Sequence, residues 1–161
     1  MTTVEDVIRV FEAGEFAAAR MGCAQLARSG EPRAMRLLGR WHAAGAAGCA
    51  RDPGLAAYWF FQAWQAGQDD AEQDIIRIRA DLEAAAETGS ADARHALGLI
   101  LCFGHDDPAA AVEWFEKAAA QNHPEALRML GYLFAEGRGV PRDEARAEEF
   151  ARRAAELGSG W

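Results

Sequence analysis

Of the 161 residues, 37 are alanine, whereas valine, isoleucine and threonine together number only 13. Alanine is the best helix former and strands favour β-branched side chains, so the composition excludes a sheet protein. The net charge of −8 sits in the rear of the chain (seven basic against six acidic side chains in residues 1–67, ten against nineteen in 68–161), which points away from nucleic acid, because phosphate binding needs a basic footprint.

In chain order, residues 1–33 read as a degenerate helix hairpin. Val4, Val7, Ile8 and Phe11 form one apolar face, Gly14 breaks it, and a second helix runs from about Phe16 to Ser29-Gly30. Residues 34–67 start a pattern. Ala34, Leu38 and Trp41 share a helix face, Gly39 opens that face to a neighbour, and Gly45 ends the helix. Asp52 then caps a second helix with Pro53 at its first position, Trp59 and Ala63 supply its packing face, and Gly67 closes the unit.

Residues 68–90 break the pattern. Asp69 to Thr88 contains no Gly or Pro, and Ile75, Ile76, Ile78 and Leu82 give it an apolar side, which predicts one helix of about 18 residues in place of a hairpin. A sharply bent pair is the alternative. The pattern returns at 91–123 with Ala93, Leu97, Gly98, Gly104, Asp107, Trp114, Ala118 and Asn122. It returns again at 124–158 with Ala126, Leu130, Gly131, Gly137, Asp143, Phe150, Ala154 and Gly158. In all three copies the Asp stands seven residues before the aromatic, while the Gly-to-Asp connection varies. Fixed offsets with variable loops are the signature of stacked hairpins. About nine helices in one domain, 1–161, are expected, all-α and of the α-solenoid class, with the stack interrupted between the near-neutral front and the acidic rear.

The string Ala126-Leu-Arg-Met-Leu-Gly-Tyr-Leu-Phe-Ala-Glu-Gly-Arg-Gly-Val-Pro-Arg-Asp143, ending in Ala154-Ala-Glu-Leu-Gly158, resembles the Sel-1-like repeat, a branch of the tetratricopeptide superfamily. Residues 91–123 resemble it with a shortened loop. Residues 34–67 match its spacing, with His42 where an aromatic is usual and Trp64 where a second Ala is usual. The resemblance implies a non-enzymatic adaptor or scaffold, in bacteria often within signalling, secretion or envelope assemblies.

No nucleophile motif, phosphate loop, dinucleotide glycine pattern or HExxH is present, and no cofactor is expected. Cys102 and His105 beside Asp106 and Asp107 are the one remote enzyme or metal candidate, but the positions matching Cys102 in the other copies are Ala43 and Ala135. Cys23, Cys49 and Cys102 are too few and too scattered for a disulfide framework. The first residues are acidic where a secretory signal is basic, and no apolar run approaches the roughly 18 residues of a membrane span, so a soluble, cytoplasmic protein without a membrane partner is expected.

The surface is what remains. Stacked hairpins present their first helices as a concave binding face. The third and seventh residues from each repeat's Ala flank the buried Leu, giving Arg36, Gln73, His95 and Arg128, and Arg40, Arg77, Leu99 and Tyr132. This basic and aromatic column is the expected partner-binding site. The acidic rear instead suits a basic partner, and with the small size it suggests a cytoplasmic immunity or antitoxin-like protein that neutralises a basic toxin domain. Trp161 is expected to cap the last apolar groove, the alternative being an exposed interaction anchor.

Overall fold

A computed structural model describes residues 3–158. Trp161, and with it the expected cap, lies outside the described residues. Among these the chain forms nine α-helices and one π turn, with no strand: α1 Val4–Glu12, α2 Phe16–Arg28, α3 Pro32–Ala44, α4 Pro53–Gln65, α5 Asp70–Glu87, α6 Ala91–Leu99, the π turn Ile100–Gly104, α7 Pro108–Ala119, α8 Pro124–Glu136 and α9 Glu144–Glu156. The segment without Gly or Pro is one helix of 18 residues, as expected. The chain divides inside it into two compact units, Met1–Leu82 and Glu83–Trp161. No described helix is long and apolar enough to cross a membrane.

Within each unit consecutive helices pack on one another, α1 to α4 in the front and α6 to α9 in the rear, the stacking of an α-solenoid. Local chemistry sets the ends. The Asp52, Asp107 and Asp143 carboxylates accept from the backbone N–H groups of Leu55, Ala110 and Arg146, so each second helix starts where its Asp predicts. The backbone N–H of each of these caps also reaches back across the hairpin. It donates to the carbonyl of His42, Leu101 or Phe134, at 2.9, 2.8 and 3.0 Å, three matching positions of the first helices. The hairpin therefore closes identically while its loop length varies.

Gly45 and Gly137 end their helices in the left-handed conformation, with φ of 68° and 63°. Gly104, expected to do the same, does not. Its loop is too short for a left-handed cap followed by a return, so the helix widens instead. His105 N–H donates to the Ile100 carbonyl at 3.0 Å, a π turn, and Asp106 takes the positive φ of 51°.

Packing corrects a second expectation. A Cβ on Gly39 would lie 2.5 Å from the Phe60 ring, and one on Gly98 would lie 2.5 Å from the Phe115 ring. The aromatic that fills each hairpin is thus the residue after the expected tryptophan. Phe60 and Phe115 are fully buried while Trp59 and Trp114 are half-buried. In the last hairpin the matching residue is Ala151, and Phe150 itself is buried there. That substitution hid the Phe60–Phe115 correspondence.

His42 occupies the position that Leu101 and Phe134 take in the other hairpins, and its Nδ1 is buried without a hydrogen-bond partner among the described residues. An unsatisfied buried polar atom costs about 1–3 kcal/mol. His42→Phe is therefore expected to raise the stability of the front unit by about 1 kcal/mol in urea unfolding.

Candidate partner-binding surface

The front part of the predicted column lies on α3 and α5. Arg36 is spoken for. Its Nε donates to Asp74 Oδ2 at 2.5 Å and its Nη1 to Asp70 Oδ2 at 3.1 Å, and Arg77 Nη1 donates to Asp74 Oδ1 at 3.0 Å. The Asp74 residue is only 4% exposed, so its charge needs both guanidinium groups. The hydrogen bond to Asp74, then the charges of Asp74 and Asp70, raise the Arg36 pKa above its usual value. Arg36 thus fastens α3 to α5, while Arg77 pairs with Asp74 within α5, and Arg36 offers a partner little. Gln73 is exposed. Arg40 is exposed too and has no carboxylate partner among the described residues. It lines a pocket of about 210 Å³ together with Val4, Ile8 and Leu37.

In the rear unit two members of the column drop out, because α6 is buried along most of its length. His95 is 4% and Leu99 6% exposed, so both are core residues. His95 stacks on His123 with ring centroids 4.6 Å apart and packs against Phe115 at 5.9 Å. His123 caps α8: its Nδ1 accepts from Ala126 N–H at 3.2 Å. Its Nε2 therefore carries the proton and donates to Asp92 Oδ1 at 2.9 Å. That bond, followed by the attraction of the two histidines, lowers the Asp92 pKa against the opposing effect of burial.

Burial, then the neighbouring His123, pushes the His95 pKa from 6.5 down to about 3. Between these values the unfolded chain binds a proton that the folded chain refuses, so stability falls as the pH drops below about 6.5. The rear unit is expected to lose about 1.4 kcal/mol per pH unit from this residue. His95→Phe, which keeps a ring in the stack, is expected to flatten the pH dependence of denaturant midpoints between about pH 6 and 4.5.

Arg128 pairs with Glu125 one turn before it. Tyr132 is exposed. Near it the Arg138 guanidinium lies 5.2 Å over the Phe103 ring and donates to Asp106 at 3.1 Å. Phe103 and Arg138 escaped the sequence reading because the residues matching Phe103 are Ala44 and Glu136, so no repeat signal marks it. Cys102 is fully buried and burial raises its thiol pKa, while His105 is exposed, so the two do not converge on a reactive pair. Among the described residues no cluster of three or more His, Cys, Asp or Glu is placed to hold a metal.

The capped hairpins with a small residue at the crossing recur at residues that the Sel1 repeat family model matches: 32–68, 91–123 and 124–159. The chain belongs to the Sel1 repeat family. Sel1 repeats are in general non-catalytic modules for binding other proteins. Among curated proteins, the ERAD-associated E3 ubiquitin-protein ligase component HRD3A of Arabidopsis thaliana is 33% identical over 77 residues, which are 45% of this chain and 10% of that protein. The chain thus spans about a tenth of the length of that relative. Among solved structures, a Sel1 repeat protein from Oxalobacter formigenes is 28% identical, with a TM-score of 0.48 over 97% of this chain and 56% of its own. The protective antigen c5321 of uropathogenic Escherichia coli, which displays an SLR fold, is 29% identical, with a TM-score of 0.49 over 86% of this chain and 33% of its own.

Proposed function

We propose that this Sel1 repeat chain is a cytoplasmic, non-enzymatic adaptor or scaffold that binds a partner protein through the outward residues of its first helices and of α5. Arg40 and Gln73 serve in the front unit, and Arg128 and Tyr132 in the rear. The observation that carries the proposal is Arg40, an exposed guanidinium with no carboxylate partner among the described residues, beside the apolar side chains of Ile8 and Leu37. Arginine and tyrosine at the margin of an apolar pocket are what interface hot spots use. Cross-linking pull-down with mass spectrometry is the test. Arg40→Glu and Tyr132→Ala are expected to remove the partner while leaving the circular dichroism spectrum unchanged. If both retain it, the proposal is wrong and the acidic surface of Asp106, Asp107, Glu148 and Glu149 takes its place.

The charge of that rear surface supports a second reading, an immunity or antitoxin-like protein that neutralises a basic toxin domain. Glu148 and Glu149 are exposed, side by side on α9. Rescue of cells expressing the product of a neighbouring gene tests it, and failure to rescue any such product removes it.

A further inference from the structure

The front and rear units treat one equivalent cleft in opposite ways. In the rear unit the cleft between α7 and α9, floored by α8, is closed by a strap. Arg146 lies 4.3 Å over the Phe134 ring and 5.6 Å over the Phe150 ring, and its Nη2 reaches Glu116 on α7 at 3.5 Å. Phe134 and Phe150 stack beneath it at 5.6 Å. Counting from the Pro that opens each first helix and the Asp that caps each second one, the front-unit residues at these places are Leu55 for Arg146, Ala24 for Glu116, His42 for Phe134 and Trp59 for Phe150. Both ends of the strap are missing. The front cleft, between α2 and α4 over α3, stands open as a groove of about 570 Å³.

Its lining has a consistent chemistry. The floor is Leu38 and the half-buried His42, the α4 wall is Trp59, and the α2 wall is Met21 and Ala24. Met21 is 72% exposed, the most exposed large apolar side chain of the described residues. Arg20 and Arg28 stand two turns apart on the same wall, and no carboxylate among the described residues lines the groove. Arg28 has no ion-pair partner among the described residues, and Arg20 is held in place by a hydrogen bond to the Gly48 carbonyl at 2.7 Å, which positions its charge without neutralising it. Met21, Ala24 and Arg28 follow the i, i+3, i+7 spacing of a single helix face, on which Met21 and Arg28 are exposed and Ala24 is half-buried.

We propose that this groove receives an acidic amphipathic helix of a partner protein. Its apolar stripe lies on Met21, Leu38 and Trp59, where an adaptable methionine and a tryptophan suit a helix-in-groove mode. Its flanking carboxylates pair with Arg20 and Arg28, replacing from outside the charge that Glu116 supplies internally in the rear unit. The surface is separate from the one around Arg40, so the two succeed or fail independently.

A displayed library of helical peptides about four turns long, selected on the full chain, tests this. Enriched peptides are expected to combine an apolar i, i+3 or i+4, i+7 stripe with flanking Asp or Glu. They are expected to bind at least about tenfold more weakly to Arg28→Glu, and to the double variant Ala24→Glu with Leu55→Arg, which rebuilds the strap. Thermal melts of both variants confirm folding, and Arg40→Glu is expected to bind as the parent does. The proposal is overturned by the absence of enrichment, by enriched peptides that lack acidic residues, or by binding that both variants retain or that Arg40→Glu abolishes. Self-association in sedimentation that the strapped variant abolishes also overturns it, by assigning the groove to a second copy of the chain.

Discussion

Phe115→Ala is expected to destabilise the rear unit by about 3–5 kcal/mol, seen as an earlier midpoint in urea unfolding. Phe115 has no exposed surface, and its ring fills the space above Gly98. The complementary change is Gly98→Ala. A methyl there would meet Cε1, Cδ1 and Cζ of that ring at 2.5, 2.7 and 2.8 Å, far inside van der Waals contact. Overpacking of this kind costs about 1–3 kcal/mol, reduced by the better helix propensity of alanine. The decisive measurement is the double variant. Because the methyl added at Gly98 enters the cavity left by the ring, the combined cost is expected to fall below the sum of the two single costs. Strict additivity would mean that the glycine is not there for the ring.

Asp74→Ala is expected to cost the front unit about 3–5 kcal/mol, because it leaves Arg36 partly buried with its main counter-charge gone. Asp70 offers Arg36 only a peripheral bond, since its side chain is 72% exposed and screened by solvent. Replacing Arg36 by Met as well is expected to return most of the loss, since removal of a whole buried pair is far cheaper than removal of half of it. A denaturant series over the two single variants and the double variant checks this. If Asp74→Ala costs less than about 1 kcal/mol, the pair is a surface contact and Arg36 returns to the set of residues available to a partner.

The scaffold was largely legible in the residues because its instructions are short-range. An Asp followed by Pro starts a helix wherever it stands, and a Gly at a crossing fixes which neighbour approaches. Three copies at fixed offsets repeat those instructions, so α3, α4 and α6 to α9 follow from the residues alone, as does the single helix of α5. The aromatic contact at the crossing marks where such instructions stop. Phe60 and Phe115 obey the repeat, but Ala151 interrupts it, and a pattern carried by two copies of three is too thin to stand out.

The binding surface was legible only in part, and for a different reason. Helix spacing lists the residues on a face, but burial and pairing depend on what comes to lie against that face. His95 and Leu99 satisfied the spacing and are core, because α6 is covered where α3 is not. Arg36 satisfied it and is taken up by Asp74, 38 residues away. The same holds for the two clefts, since Arg146 and Glu116 are 30 residues apart and Leu55 with Ala24 says nothing until the helices are stacked. Composition, caps and glycines thus dictate an all-helical hairpin stack through interactions within a few residues of one another. Which charges and apolar side chains are left over for a partner is a remainder, set by long-range neighbours after each unit has used what it needs.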